Sequence, residues 1–386
     1  AVLRGPQGTL YGRNSTGGAV NMITNRAVPG ELSGNLEGQA GNYDHLQANG
    51  AINIPLGDQM ALRFAGIWLD REGYTENLGT GNDVDGRDQY SLRGAFNWSG
   101  ERTTVDLMVS YFDEDSSRSR SQKTMCNNDP SALLGCLPDK LEFEQPNPSA
   151  SLGYILASDI LLGPLGIFQF GTNDTTGSPR DMRKVRSQRD PTYEADETLV
   201  TLNISHELEN HTLALVAGYQ DTSVVSQMDY TWSEVYPAEV PSLLQVVAPQ
   251  TYGTLFSEGL PISAPSKNST GIIGGHIDSV NPGIVAYDQS NQDSEQYSVE
   301  LRIQSNYDGA FNFLLGGFYM DVDLFNQYWV FQSGLDYFAA VFPPAALELD
   351  GLGWVAPQFN NSTDDYDITS TAIFGELYWE FTDTLK

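Results

Sequence analysis

Apolar and polar side chains alternate along much of this chain, which is the period-two pattern of half-exposed β-strands. In residues 46–54 every second residue is apolar or glycine, and in residues 60–69 the side chains of Leu62, Phe64 and Trp68 share one face. The same pattern predicts further strands at residues 31–40, 90–98, 105–111, 197–207, 212–221, 296–305, 311–322 and 368–381. The chain is therefore predicted to contain about ten strands of about ten residues each.

The predicted connections between these strands alternate in length. Short turns are predicted at residues 55–58, 99–102, 208–211 and 306–309, and the last contains the hairpin signal Asp308-Gly309. Long excursions are predicted at residues 73–87, 114–193, 222–293 and 323–366. A soluble sandwich has no reason for this asymmetry, whereas a transmembrane β-barrel has short periplasmic turns and long extracellular loops. The strand length also fits, because a tilted strand crosses the hydrocarbon in about 9–11 residues.

We therefore predict an all-β fold of the transmembrane antiparallel β-barrel class, present here as a truncated, open and curved sheet of about ten strands. The first strand is expected to be unpaired on its outer side. No window of about eighteen consecutive apolar residues predicts a membrane helix. Aromatic residues near the predicted strand ends fit the interfacial girdles of a barrel: Trp68, Trp98, Tyr111, Tyr219, Tyr319 and Trp379.

Composition supports extended strands over packed helices, since the chain has 19 Tyr, 17 Phe, 6 Trp and 38 Gly in 386 residues. The net charge of -30 argues against nucleic acid as a partner, because phosphate binding needs basic patches. The N-terminal segment is the exception, since it carries Arg4, Arg13 and Arg26 and no acid. A cationic segment of this kind complements an acidic barrel, and a wet lumen keeps such ion pairs weak enough to break.

Two further features concern covalent and metal chemistry. Cys126 and Cys136 lie in a polar stretch and fit either one disulfide in an oxidising compartment or two free thiols. His206 and His211 resemble a zinc-protease pair, but the second histidine comes one residue late and the pair falls at a predicted hairpin. Residues 81–86 resemble a calcium loop that lacks the carboxylate at its twelfth position. We therefore predict no resident metal, no cofactor and no catalytic residue.

The N-terminal segment carries the most specific motif. Leu3-Arg4-Gly5-Pro6 is followed by Tyr11-Gly12 and then by Gly17-Gly18-Ala19-Val20-Asn21. Tight turns, where a Cβ would clash or φ must be positive, are predicted at Gly5, Pro6, Gly8, Gly12, Gly17 and Gly18. This segment resembles the end of the plug domain of TonB-dependent outer-membrane receptors. Weaker similarities to barrel strands of the same family continue in residues 299–303, 316–319 and 372–375.

The resemblance implies a two-part machine, in which a plug is folded inside a barrel of about 22 strands. Residues 1–30 are then the end of the plug and its linker, and residues 31–386 are the first part of the barrel with long extracellular loops. A signal peptide, the TonB-contacting segment, most of the plug and about twelve strands are expected outside this chain. In such receptors the arginine of the Leu-Arg-Gly-Pro motif is thought to pair with barrel carboxylates. Arg4 is therefore expected to hold the plug to the wall, with Arg13 and Arg26 as further plug–barrel contacts.

The implied function is TonB-dependent, energy-coupled import of a scarce nutrient across the bacterial outer membrane, and not an enzymatic reaction. A ferric siderophore is the favoured cargo, while cobalamin or an oligosaccharide stays open, as do a passive porin-like channel and a β-rich adhesin. The implied partners are the inner-membrane TonB complex, outer-membrane lipid and the cargo itself. Cargo contacts are predicted among aromatic loop residues, although loops that pack on one another fit the same pattern: Tyr230, Trp232, Tyr328, Trp329 and Trp354.

Overall fold

The computed structural model describes residues 2–4, 17–20, 23–120, 181–187, 189–229, 286–332 and 358–380. Within these ranges the regular elements are β-strands, and no helix there is long and apolar enough to cross a membrane. In chain order the strands are β1 (Val2–Arg4), β2 (Gly18–Val20), β3 (Ser33–Ala40), β4 (Leu46–Pro55), β5 (Met60–Arg71), β6 (Thr75–Asn77), β7 (Asp83–Val84), β8 (Arg87–Ser99), β9 (Thr103–Ser116), β10 (Lys184–Val185), β11 (Thr192–Glu207), β12 (His211–Asp229), β13 (Ala286–Ser305), β14 (Phe311–Gln332) and β15 (Gln358–Trp379).

Ten of these strands form one antiparallel sheet, a meander in the order β3-β4-β5-β8-β9-β11-β12-β13-β14-β15. The short strands β6, β7 and β10 form a small sheet of their own, and β1 pairs with β2. Among the described residues, β3 pairs only with β4, and β15 pairs only with β14. The large sheet is therefore open, with its first strand unpaired on the outer side. The predicted fold class, a truncated antiparallel β-barrel, is confirmed.

The strands end alternately at two edges of the large sheet, which we call the turn end and the loop end. At the turn end, neighbouring strands are joined by residues 56–59, 100–102, 208–210 and 306–310. At the loop end, they are joined by residues 41–45, 72–86, 117–191, 230–285 and 333–357. This arrangement agrees with the predicted alternation of short turns and long excursions, and it puts all the long connections on one side.

The two faces of the large sheet differ in chemistry. On one face, Phe96, Leu107 and Leu202 are paired side by side across β8, β9 and β11. The residues next to them in the sequence lie on the other face and are also paired side by side: Asn97, Asp106 and Asn203. The pleat of the strands separates the two sets, because successive side chains point to opposite sides. We call the two sides the apolar face and the polar face.

The apolar face lies open to the surroundings in the part of the chain that the structure describes. Leu36 is 86% exposed and Ile373 is 84% exposed. On the polar face, by contrast, Asn53 and Asn97 are buried. A sheet that turns its leucines outwards and its asparagines inwards is the reverse of a soluble protein. It is the arrangement of a barrel whose outer surface faces lipid.

Aromatic side chains line both margins of the apolar face. Towards the loop end, the rings of Tyr219 and Tyr297 stack with centroids 6.0 Å apart. At the turn end, Phe311 meets Trp379 edge-on at 6.3 Å. Other predicted girdle residues are also among the exposed large side chains: Trp68, Trp98, Tyr111 and Tyr319. Amphipathic rings at two levels fit the two interfaces of a membrane.

The later strands are much longer than the predicted length. β13 has 20 residues and β14 and β15 have 22 each. They include residues 286–293, 323–332 and 358–366, which were predicted as loop. That prediction was wrong because both faces of these segments carry polar side chains, so the sequence shows no apolar–polar alternation there. The backbone still forms hydrogen bonds with the neighbouring strands. A strand of 22 residues reaches about 70 Å, so these strands extend well beyond a hydrocarbon core about 30 Å thick.

The small sheet lies inside segments that were also predicted as loop. β6 pairs antiparallel with β7 and parallel with β10, so two connections of the loop end are tied together. The tight approach depends on Gly73, because a Cβ there would lie 2.4 Å from the carbonyl oxygen of Val84. Val84 and Val185 pack with Met228 in a buried cluster, which anchors the small sheet to β12.

We expect the amides of residues 288–292 to exchange with solvent as slowly as those of residues 298–302, because β13 is paired on both sides over both stretches. Hydrogen exchange measured on the intact protein tests this, with the turn at residues 307–310 as the fast-exchanging control. Exchange of residues 288–292 at the rate of that turn would instead show that the strand begins where the hydrophobic alternation begins.

Candidate functional site

A short segment before β3, residues 24–31, crosses the polar face near the turn end, and we call it the linker. The hydroxyl of Thr24 lies 3.6 Å from the sulfur of Met108 on β9. The guanidinium Nη1 of Arg26 lies 2.9 Å from Oδ2 of Asp106, also on β9. The linker therefore begins on β9 and continues towards β4, where it reaches the first strand of the sheet.

Asn53 on β4 holds the next part of the linker by three hydrogen bonds. Its Oδ1 accepts the backbone N–H of Val28 at 2.8 Å. Its Nδ2 donates to the carbonyl of Val28 at 2.8 Å and to the carbonyl of Glu31 at 2.6 Å. Asn53 is 1% exposed and Ala27 is 4% exposed, so this contact is closed to solvent. The side-chain amide of Asn53 therefore forms the hydrogen bonds with the N–H and C=O of Val28 that the backbone of a neighbouring strand would form in a sheet.

The Arg26 contact differs in exposure from the Asn53 contact. The side chain of Arg26 is 63% exposed and that of Asp106 is 14% exposed. Asp106 is held in place by Asn97, whose Nδ2 donates to Oδ1 at 2.8 Å. An ion pair with one partner in solvent is screened by water and salt, so it contributes little to stability.

At the loop end of the polar face, one buried carboxylate forms ion pairs with two arginines. Glu114 is 5% exposed, and its Oε1 lies 3.3 Å from Nε of Arg118 and 3.9 Å from Nε of Arg87. The hydroxyl of Ser116 donates to the same oxygen at 2.7 Å. The guanidinium carbon of Arg118 lies 3.4 Å from the centroid of the Tyr193 ring, in cation–π contact. Two guanidinium groups on one carboxylate leave this group with a net positive charge.

A second charged group lies beside the first. Arg120 pairs with Asp288 on β13, and the hydroxyl of Tyr328 on β14 donates to the same carboxylate at 3.0 Å. The backbone N–H of Arg120 points to the sulfur of Met228 at 3.2 Å. These contacts connect the chain after β9 to three later strands. We call the two groups together the rim: Arg87, Glu114, Arg118, Arg120, Tyr193, Asp288 and Tyr328.

Two further arginine–tyrosine contacts lie beside the small sheet, both on the ring of Tyr74. The guanidinium carbons of Arg71 and Arg183 lie 5.0 Å and 4.6 Å from the centroid of the Tyr74 ring. On β10, the ammonium of Lys184 donates to Glu76 at 2.7 Å, and this hydrogen bond and the charge of Glu76 raise the pKa of Lys184. Lys184 therefore keeps its charge to a higher pH than an unpaired lysine.

Basic side chains are thus concentrated at the loop end of a strongly acidic chain. Among the described residues, eight lysines and arginines lie there: Arg71, Arg87, Arg118, Arg120, Arg183, Lys184, Arg186 and Arg189. Guanidinium groups placed beside aromatic rings suit planar anionic groups such as carboxylates, because they offer several donors in one plane. The arginines can therefore pair with a planar anionic group of a ligand, beside a cavity whose lining also includes the carboxylates of Asp70, Glu72, Asp83, Asp88, Asp115 and Asp190.

No protein-family model matches this chain. Among solved structures, the siderophore receptor PiuA from Acinetobacter baumannii matches it with a TM-score of 0.53 at 15% identity, over 97% of this chain and 44% of that one. FpvA from P. aeruginosa, in a complex with a heterologous pyoverdine and iron, matches with a TM-score of 0.53 at 12% identity, over 99% of this chain and 39% of that one. This chain therefore spans less than half the length of either receptor.

The chain has the fold of these receptors. The resemblance to TonB-dependent receptors that the N-terminal motif indicated is thus confirmed at the level of the fold. In this receptor fold, the polar face of the sheet corresponds to the inside of the barrel wall and the apolar face to its outside. The linker and the rim then lie on the same inner surface, at opposite ends of the strands.

The predicted plug residues are placed only in part. Arg4 ends β1, opposite Gly18 on β2, and Gly18 has a φ of 140°, which favours glycine. Gly17 is exposed just before β2. Arg26 lies in the linker, beside Asp106. The other predicted site residues of the plug lie outside the described residues: Gly5, Pro6, Gly8, Gly12 and Arg13.

The predicted cargo loops need correction in their boundaries. Tyr328 lies in β14 and takes part in the rim, and Trp329 is the next residue of the same strand, so neither belongs to a loop. Tyr230, Trp232 and Trp354 lie outside the described residues, as do Cys126 and Cys136. Their predicted roles in cargo contact and in a disulfide stay predictions.

Sequence reasoning missed the rim arginines. The signal was present, because Arg118 and Arg120 form the alternating pair Ser-Arg-Ser-Arg, and residues 183–186 form another basic run. Both runs fall in segments that were predicted as excursions, where charge is usually solvated. Only the pairing of β9 with β11 brings Tyr193 next to Arg118.

The described residues contain no group of His, Cys, Asp and Glu side chains that could hold a metal ion. The two histidines of the protease-like motif are engaged separately. Nδ1 of His206 lies 2.7 Å from the hydroxyl of Thr103, and Nε2 of His211 lies 2.8 Å from the hydroxyl of Tyr307. Their hydrogen bonds point the two imidazoles to different neighbours, so the pair does not form a chelating site.

We expect Glu114→Gln to destabilise the rim, because Arg87 and Arg118 would then face each other without a carboxylate between them. The cost of leaving such charged partners unsatisfied is about 1–3 kcal/mol. Thermal unfolding of the intact protein in detergent measures it as a lowered Tm. Asp115→Asn is the matched control, because Asp115 is the next residue and is exposed on the opposite face. Equal Tm values for the two variants would show that Glu114 does not organise the rim.

Proposed function

We propose that this chain is part of a TonB-dependent importer that carries a ferric siderophore across the bacterial outer membrane. One observation carries this proposal: the linker is bound to the polar face of a sheet whose other face is apolar and exposed. A passive channel needs no chain held across its inner wall. A soluble adhesin has no use for an exposed apolar face with aromatic margins.

In the proposed transporter, residues 1–30 belong to the end of the plug and its linker, and residues 31–386 to the first part of the barrel with its long extracellular loops. Arg4, Arg13 and Arg26 hold the plug to the wall through ion pairs that water can weaken, and the Arg26–Asp106 contact is the pair that supports this role. The TonB complex of the inner membrane engages the plug through a segment outside this chain. Outer-membrane lipid covers the apolar face.

The rim supports an anionic cargo. Ferric complexes of carboxylate and catecholate chelators carry negative charge, which the arginines of the rim can neutralise at the loop end of the barrel. PiuA is a siderophore receptor and FpvA binds pyoverdines, and both share this fold. A neutral oligosaccharide would gain no charge-assisted hydrogen bond from the guanidinium groups, so the rim favours a siderophore over a sugar. Cobalamin, imported by the same TonB-dependent mechanism, is the second candidate.

Uptake of radiolabelled iron by cells tests the proposed function. The full-length receptor is expressed in a Gram-negative strain that lacks its own siderophore receptors, and anionic ferric siderophores are supplied one at a time. We expect accumulation of iron that stops when TonB is deleted or when a protonophore removes the proton-motive force. Accumulation that persists without TonB would support a passive channel, and uptake of labelled cobalamin instead of iron would identify the second candidate.

We expect Arg118→Ala to weaken binding of an anionic ferric siderophore by about tenfold, because it removes one guanidinium from the rim, and a loss of about 1.4 kcal/mol corresponds to that factor. Binding to the purified full-length receptor, followed by quenching of tyrosine and tryptophan fluorescence, gives the Kd. Arg102→Ala is the matched control, since Arg102 lies at the turn end and is exposed. A Kd that rises equally for both variants would argue for a general charge effect and against a rim site.

A further inference from the structure

We propose that Asn53 is a positioning residue that sets the hinge between the plug and the barrel wall. The proposal rests on the proposed transport function. During transport, the chain up to Ala27 moves with the plug, whereas the chain from Val28 onwards stays fixed to β4. The hinge then lies at the φ and ψ angles of Ala27, because the peptide bond to Val28 is planar and its N–H is bound by Asn53, and a single side chain of the barrel decides where the hinge is.

The contact at Asn53 has the properties of a fixed point. It uses both backbone groups of Val28 and the carbonyl of Glu31, at distances of 2.6 to 2.8 Å. The side chain is 1% exposed, so water cannot replace these bonds without opening the site. Separating the linker from β4 would require all three hydrogen bonds to break together before water can reach the released groups, which is unfavourable.

The chain that follows Val28 is stiff. Val28 precedes Pro29, so its backbone is confined to extended conformations, and Pro29 has a fixed φ. Gly30 has a φ of 74°, in the left-handed region, and its N–H donates to the carbonyl of Gly57 at 3.3 Å. Residues 28–30 therefore form a rigid turn that leads directly into β3. Rotation about backbone bonds is restricted on this side of the hinge.

The chain that precedes Val28 is bound by weaker contacts. The Arg26 side chain is 63% exposed, and its pair with Asp106 is open to water. The Thr24 hydroxyl contacts a methionine sulfur, which is a weak acceptor. Ala27 is buried but has no polar side-chain atom to hold it. When the plug is pulled, the contacts at Thr24 and Arg26 can therefore separate while the Asn53 contact remains.

The role depends on the amide chemistry of Asn53. A carboxylate at this position would accept the Val28 N–H, but it would face the carbonyls of Val28 and Glu31 without a proton to donate. A hydrocarbon side chain would pair with none of them. Asn49 lies on the same strand and the same face, and among the described residues the linker's hydrogen bonds to β4 fall on Asn53 and not on Asn49. Asn49→Ala is therefore the matched control.

The first test uses hydrogen exchange of the full-length receptor and needs no cargo. We expect Asn53→Ala to increase the exchange rate of the Val28 amide at least tenfold and Asn49→Ala to leave it unchanged. When the periplasmic domain of TonB is added, we expect spin labels at Thr24→Cys and Met108→Cys, in a background with Cys126→Ser and Cys136→Ser, to lose their dipolar broadening while the Val28 amide keeps its protection. Loss of Val28 protection when TonB is added, or a Val28 amide that is insensitive to Asn53→Ala, would overturn the proposal.

The second test uses uptake of a ferric siderophore. We expect Asn53→Asp and Asn53→Ala to lower the maximal uptake rate several-fold and to leave the Kd for the cargo unchanged, because the cargo binds at the rim. A disulfide between Thr24→Cys and Met108→Cys, in a background with Cys126→Ser and Cys136→Ser, should block uptake until it is reduced. A control disulfide between the paired residues Asn35→Cys and Ala51→Cys should not.

The two tests fail in different ways. If the wild type imports no siderophore but the exchange pattern holds, then the proposed cargo is wrong and the hinge stands. If the wild type imports iron and the Thr24–Met108 disulfide leaves uptake intact, then the moving segment ends before Thr24 and the hinge proposal is wrong. A changed cargo Kd in the Asn53 variants would also contradict it, because the effect would then reach the binding site.

Discussion

The continuous backbone ladder from β3 to β15 is the interaction on which the rest of the structure depends. A bilayer offers no donor or acceptor to an unpaired N–H or C=O, so strands in it must be paired on both sides. Within the described sheet, every strand between the edge strands β3 and β15 is hydrogen-bonded to a strand on each side. Once the backbone is satisfied in this way, the outward side chains can be apolar and the inward ones polar. The leucines exposed on one face and the asparagines buried on the other follow from that single constraint.

The polar face then has two functional regions with different physical character. At the turn end, neutral hydrogen bonds around Asn53 are buried and hold the linker firmly, while the nearby ion pair of Arg26 stays in contact with water. At the loop end, Glu114 and Asp288 organise arginines without neutralising all of them. One region suits attachment of a chain and the other suits recognition of a charged ligand. The strands separate them, so the two regions lie at opposite ends of the same face of the sheet.

Some of this architecture was readable from the residue pattern, and some was not. The apolar–polar alternation around Phe64 and Phe96 and the Asp-Gly turn at residue 308 were sufficient to predict the strands near the membrane. In that region the side chains on the lipid side must be apolar, so the alternation is visible in the sequence. The upper halves of β13 to β15 were missed, since above the membrane neither face has to be apolar and the ladder continues through residues such as Asp288. The parallel pair of β6 and β10 was also missed, because it joins residues that are more than a hundred positions apart.

The sequence by itself determined the fold class, the order of the strands and which side chains face lipid, because period-two alternation and turn chemistry act between near neighbours in the chain. It also indicated a plug segment, through its glycines and arginines. Only the tertiary structure decided which partners these groups have. Asn53 meets Val28, Arg26 meets Asp106, and Arg118 meets Tyr193 because the register of the strands brings distant residues to the same height. Register depends on pairing along the whole sheet, and no local pattern around any one of these residues specifies it.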